Sequence, residues 1–120
     1  MCKPKEKPTI QERARERICP ECGAPVARRS GRGRPPHFCC ADHQRIFNRR
    51  AAKEGAAAIA YLKAWRIDRG SGEIAKTALM QLCQIVDEFN AQDRESGRPR
   101  ADLYAATLMA DGRLYLDRRR

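Results

Sequence analysis

Apolar residues recur with one clear helical period, in the stretch from about Glu73 to Ala91. Ala75, Leu79, Leu82, Val86 and Phe89 step by 4, 3, 4 and 3, with Ala78 and Ile85 beside them. Such a pattern places one apolar stripe on one face of a helix. Cys83 adjoins Leu82 and reads as a small core residue of that helix. Upstream, a helical pattern starts near Cys40 and runs to Arg69, carrying Ile46, Phe47, Ile59, Leu62 and Trp65 among many alanines. Gly55 marks an expected break, which divides a first helical piece from a helix over about 55–69. Gly70-Ser71-Gly72 ends it, and Ser71 is the expected N-cap of the next helix. Ser96-Gly97-Arg98-Pro99 closes the 73–91 helix. A shorter helix follows over 101–110, with Leu103, Ala106 and Met109 or Ala110 inward. Asp111-Gly112 makes a turn, and Leu114-Tyr115-Leu116 reads as a frayed tail.

Residues 19–36 break this regularity with Pro, Gly and Arg, and Ser30-Gly31-Arg32-Gly33 is the expected loop tip. Val26 and Phe38 suit two short strands flanking that tip. The first eighteen residues hold almost nothing to bury and read as a disordered basic arm, with a helical turn available over Thr9–Arg17. No internal repeat is present. The predicted organisation is a basic arm (1–18), a metal-binding module (19–54) and a helical region (55–120, helices about 55–69, 73–91 and 101–110). The fold class is mostly α, with a small irregular or β piece near the N-terminus.

Composition sharpens this. With 120 residues, 33% of them charged and 6% aromatic, the chain buries one modest core, and small cores need a staple. This argues against a large enzyme with its own substrate domain. No apolar run of membrane-spanning length occurs, and no apolar stretch follows the basic start. Neither a membrane span nor a secretion signal is expected, and the expected location is the cytoplasm.

Six cysteines stand at positions 2, 19, 22, 39, 40 and 83, four of them clustered. In a reducing compartment this clustering points to metal rather than disulfides. Cys19-x2-Cys22 supplies two thiolates from one tight turn, and Gly23, following the second thiol and free to take positive φ, helps that turn close. Cys39-x3-His43 straddles the predicted helix start, so both ligands share a face of the first turn. Cys19, Cys22, Cys39 and His43 together make a closed tetrahedral set for structural Zn2+. Cys40 and His37 are close enough in sequence to compete for places in that set. Cys39 is preferred to Cys40 because it follows Phe38 and keeps the helical spacing to His43.

Charge concentrates around the same segment. The formal net charge is +10, and residues 19–50 hold seven basic against two acidic side chains. Arginine, whose planar fork grips phosphate bidentately, supplies most of the cations. Arg45, Arg49 and Lys53 recur every four residues after His43, with Arg50 adjacent. Arg28, Arg29, Arg32 and Arg34 on the preceding loop extend the same face. Together they predict a nucleic-acid-binding surface that tracks phosphates, with DNA the favoured partner. Only Gln44 and Asn48 are placed to read bases, so little sequence preference is expected.

Cys19-Pro20-Glu21-Cys22-Gly23, then Phe38-Cys39-Cys40-Ala41-Asp42-His43-Gln44-Arg45 and Asn48-Arg49-Arg50, resembles small bacterial treble-clef zinc proteins. The zinc-binding DNA gyrase inhibitor proteins are one such family. The resemblance covers about residues 19–50. It implies a zinc-stapled treble-clef or zinc-ribbon-like module, with Cys19, Cys22 and Cys39 as the first three ligands and His43 in place of a fourth cysteine. Cys40 stands where the family has serine and Gln44 where it has arginine, departures that weaken any transfer of gyrase inhibition. It also implies nucleic-acid or protein binding as the use of the module.

An enzymatic function is not expected. Four protein ligands leave a zinc no open position, and neither HExxH nor His-x-Glu occurs. The two histidines, both beside the cluster, cannot also furnish the catalytic metal site of an HNH-type nuclease. The alternative is a protein-interaction adaptor or inhibitor, for example of a DNA-processing enzyme. It would dock through helices 73–91 and 101–110, whose apolar stripe otherwise forms intramolecular core.

Overall fold

A computed structural model describes residues 7–14, 17–27, 36–70 and 72–112. Four helices follow in order: α1 (Ile10–Arg13), α2 (Ala41–Ile67), α3 (Glu73–Glu95) and α4 (Ala101–Ala110). Helix accounts for 67% of the described residues and no strand occurs among them, so the chain is mostly α. The largest packing unit is the α2–α3 hairpin, and α1 lies on α4.

α2 runs unbroken through Gly55, across the boundary expected at 54/55. Nothing approaches within 4 Å of a Cβ built on Gly55, and alanines follow it, so the glycine weakens the helix locally without a steric reason to bend it. At 27 residues, α2 is about 40 Å long. Its first turn carries His43 and the helix beyond it packs on α3, so no linker separates the cysteine cluster from the hairpin.

The turn between α2 and α3 is capped in an unexpected way. The cap position of α3 is Gly72, and Ser71 lies outside the described residues. Asp68, at the end of α2, accepts the Ala75 amide at 3.3 Å. Asp68 thus closes α2 through its backbone amide and caps α3 with its carboxylate, where the macrodipole also favours negative charge. A Cβ on Gly72 would collide with that carboxylate, so a side chain there would have to push Asp68 out of its capping position.

The stripe on α3 is rotated from its expected setting. Ala75 and Ala78 are buried, and Leu82, Ile85 and Phe89 are half-buried. The seam therefore steps 75, 78, 82, 85, 89, turned by roughly 40° from the predicted 75, 79, 82, 86, 89. Leu79 and Val86 lie on its flank at 43% and 38% exposure, and Cys83 is exposed rather than core. The reason is the small side chains of the seam: Ala75 and Ala78 meet an alanine-rich α2, which lacks the bulk to cover the larger residues beside them.

A second cluster ties α4 to the cysteine-bearing segment. Phe38, Phe47 and Tyr104 pack with ring centroids 5.1–5.8 Å apart. Phe38 lies in a bend, not in the expected strand, and next to Val26 the described residues form an isolated bridge, Ile18 to Pro25, rather than a strand. Pro36, without an N–H, cannot donate to a ladder leading into Phe38. In α4, Ala106 is buried and Leu103 half-buried, while Met109 is 47% exposed. Within the span 9–17, where a helical turn is expected, Thr9 and Glu12 form a capping box on α1, which rests on α4.

Candidate metal centre

The Cys19–Ala24 turn is built by its own backbone. Gly23 N–H donates to the Cys19 carbonyl at 2.8 Å, and Cys19 N–H to the Ala24 carbonyl at 2.8 Å. The Ala24 amide points at Cys22 Sγ at 3.5 Å. This closure requires φ of +80° at Gly23, a region that costs any side-chain-bearing residue energy. The turn projects both sulfurs to one side. From the other side, Cys39 ends the preceding loop and His43 sits on the first turn of α2.

The four meet. One ligand atom from each of Cys19, Cys22, Cys39 and His43 lies within 4.8 Å of every other. Cys22 Sγ is 3.6 Å from Cys39 Sγ, and His43 Nδ1 is 3.1 Å from Cys39 Sγ and 3.9 Å from Cys19 Sγ. Tetrahedral ligands at zinc bond lengths would be separated by about 3.5–3.8 Å. The cluster has the size and donor chemistry to hold one metal ion. Cys19 is fully buried, His43 half-buried, and Cys22 and Cys39 exposed, which puts the centre at the edge of the molecule.

The two candidates left open by sequence resolve differently. Cys40 Sγ is 3.7 Å from Cys39 Sγ but stays outside the mutually close set, because Cys40 occupies the N-cap of α2. His37 is buried and turned away, its Nε2 2.9 Å from Asp111 Oδ2. Asp111 also accepts from Arg17, forming a three-residue clip between the C-terminal cap of α4 and the segments on either side of the cysteine turn. Sequence reading saw Asp111 only as a turn residue. Nothing local signals a pairing across 94 positions to Arg17.

The thiols titrate unequally. Burial pushes Cys19 up, but the backbone amides of Cys39, Cys22 and Glu21, with the His43 ring, outweigh it and bring the thiol down to about 6. Cys39 is pushed up to about 12 by desolvation, by hydrogen bonds to the Cys22, Cys40 and Cys19 sulfurs, and by the charge on Cys19. One thiolate therefore forms readily and discourages a second. A bound cation reverses that preference and releases the remaining protons.

The cationic residues singled out from sequence fall into three groups. Arg28, Arg29, Arg32 and Arg34 lie outside the described residues. Arg45, Arg49 and Lys53 are exposed along one side of α2, and Arg45 pairs with Asp42 in solvent. Arg50 departs from that stripe. It pairs with Glu21 at 2.6 Å and Glu54 at 3.5 Å, and its guanidinium lies 5.3 Å from the Phe47 ring centroid. Through Glu21 it ties the cysteine turn to α2. No helix among the described residues is long and apolar enough to cross a membrane. Comparison with protein-family models, with curated proteins and with solved structures finds no match.

Proposed function

We propose that this chain is a non-enzymatic zinc protein that binds nucleic acid, with DNA the favoured form. Zn2+ is held by Cys19, Cys22, Cys39 and His43, and it staples a treble-clef-like module onto α2. The observation that carries the reading is the convergence of three thiols and an imidazole at the start of a helix that then presents Arg45, Arg49 and Lys53 to solvent. Three thiolates and a neutral imidazole around Zn2+ would carry one net negative charge, which the basic excess of residues 19–50 would help offset. Zinc here supplies folding energy rather than reactivity, since all four positions are filled by protein. Backbone phosphates would lie along the α2 stripe, with Arg28, Arg29, Arg32 and Arg34, outside the described residues, expected from the sequence to supply further contacts.

The test is a gel shift on duplex DNA and on RNA over a range of salt. Four to six phosphate contacts on duplex DNA give a log–log slope of roughly −4 to −5. Affinity for DNA that is absent or flat with salt would count against the reading.

A second reading is favoured by one observation. Ile59, Leu62, Leu79 and Val86 lie 38–44% exposed on α2 and α3. These side chains suit an adaptor or inhibitor that docks another protein, for example a DNA-processing enzyme. That reading leads if nucleic acid does not bind.

A further inference from the structure

A second cationic site lies apart from the α2 stripe, where α1, the end of α3 and the start of α4 converge. α3 stops at a reversal in which Gly97, at φ +73°, lets Gly97 N–H reach the Arg94 carbonyl and Arg98 N–H the Asp93 carbonyl. The reversal brings Arg94, Arg98 and Arg100 to one wall of a cleft of about 790 Å³, and Lys7 and Arg13 line it as well. Two carboxylates share the lining, Asp93 and Asp102.

Those carboxylates are already engaged. Arg98 Nε donates to Asp93 Oδ1 at 2.8 Å. Asp102 Oδ2 is shared by Arg13 at 3.4 Å and Arg100 at 2.9 Å, so one carboxylate serves two guanidinium groups. Five cations against two carboxylates leave three positive charges in a concave surface, where field lines concentrate. The N-terminus of the ten-residue α4 adds to them. Its cap, Arg100, makes no side-chain capping bond, and Ala101, the first helical residue, lines the cleft.

Packing α1 onto α4 needs one carboxylate and one arginine; it does not need four further cations around them. The cleft is within the size of small-molecule sites and large enough for more than one anionic group. Arginine forks match the oxygens of phosphate, and three excess charges suit a polyanion better than a single carboxylate. We propose that this cleft binds phosphate groups, whether of a polynucleotide backbone or of a free polyphosphate. The site does not depend on the α2 stripe, and it can stand if the nucleic-acid reading falls.

The experiment compares wild type with Arg94→Glu/Arg100→Glu, both positions being exposed and neither a metal ligand. Arg94→Gln/Arg100→Gln serves as a milder second variant, and metal content with circular dichroism checks that each is folded. Fluorescence anisotropy reads a labelled single-stranded oligonucleotide, and calorimetry reads tripolyphosphate. Charge reversal should weaken the oligonucleotide at least about tenfold and reduce its salt slope by about 1.4, because two fewer phosphates of a single strand are neutralised. A loss of tripolyphosphate binding alone also supports the site, with the free anion as its source. Arg45→Glu/Arg49→Glu, run in parallel, tests the α2 face and should leave tripolyphosphate binding intact. If wild type binds neither probe, or the folded Arg94/Arg100 variants bind both as wild type does, the proposal is overturned.

Discussion

Cys39 and Cys40 are neighbours in sequence and their sulfurs are 3.7 Å apart, yet only Cys39 belongs to the converging set. Cys39→Ser should therefore abolish stoichiometric metal binding, while Cys40→Ser should retain it, as read by metal analysis of the purified variants. The reverse pattern would move the third ligand by one residue. Asp111 offers a different test at the same scale. Arg17 and His37 both donate to it, and all three side chains are no more than 11% exposed. Burial raises the carboxyl's pKa, but the hydrogen bonds and charges of Arg17 and His37 overcome that and lower it. Asp111→Asn should cost about 3 kcal/mol in chemical denaturation near neutral pH, because it leaves a buried cation unpaired. A lowered carboxylate pKa stabilises the fold above the ordinary carboxylate range and loses that contribution as pH falls through the lowered value. The gap between wild type and Asp111→Asn should accordingly narrow at the acid end.

At the scale of the helices, some features were open to sequence reading and others were not. The start of α3 at Glu73 and the span of α4 at Ala101–Ala110 coincide with the expected positions. Periodicity and the Gly-Ser-Gly and Ser-Gly-Arg-Pro interruptions are local signals. The rotation of the α3 seam was not legible, since it depends on which face an alanine-rich partner can approach. Asp68 capping α3 was missed for a similar reason: it lies seven residues before the amide it accepts, outside the usual capping interval. Similarly, Arg50 read as one more surface cation, although its place on the inward side of α2 pairs it with Glu21. The cysteine set was the most legible feature, because ligand spacing is itself a geometric constraint. Two substitutions test the seam and the continuity of α2. Leu82→Ala should destabilise by about 2 kcal/mol, the low end for core truncation because Leu82 is half-buried, whereas Leu79→Ala should cost distinctly less. Equal losses at the two positions would return the stripe to its unrotated setting. Gly55→Ala should raise the midpoint of thermal unfolding, with a gain of up to about 1 kcal/mol, since its Cβ meets nothing within 4 Å.

For the whole molecule, α2 joins a four-ligand cluster at one end to a helical hairpin with exposed apolar flanks at the other. Among the described residues few large apolar side chains are fully covered, and a core this thin is a small source of stability on its own. Under the zinc reading, the metal supplies more, and the aromatic cluster and the Asp111 clip transmit the constraint to α4. Chelation should then release the Cys19–Ala24 turn and the start of α2, while part of the α2–α3 helicity persists in circular dichroism. The measurement that bears most directly on this account is native mass spectrometry of the full chain, before and after a strong chelator and beside a Cys22→Ser variant. One zinc ion per chain, removed by the chelator and missing from the variant, is the predicted result. A metal-free wild-type chain that keeps its full helicity and resists unfolding as well as the zinc-supplemented protein would contradict it.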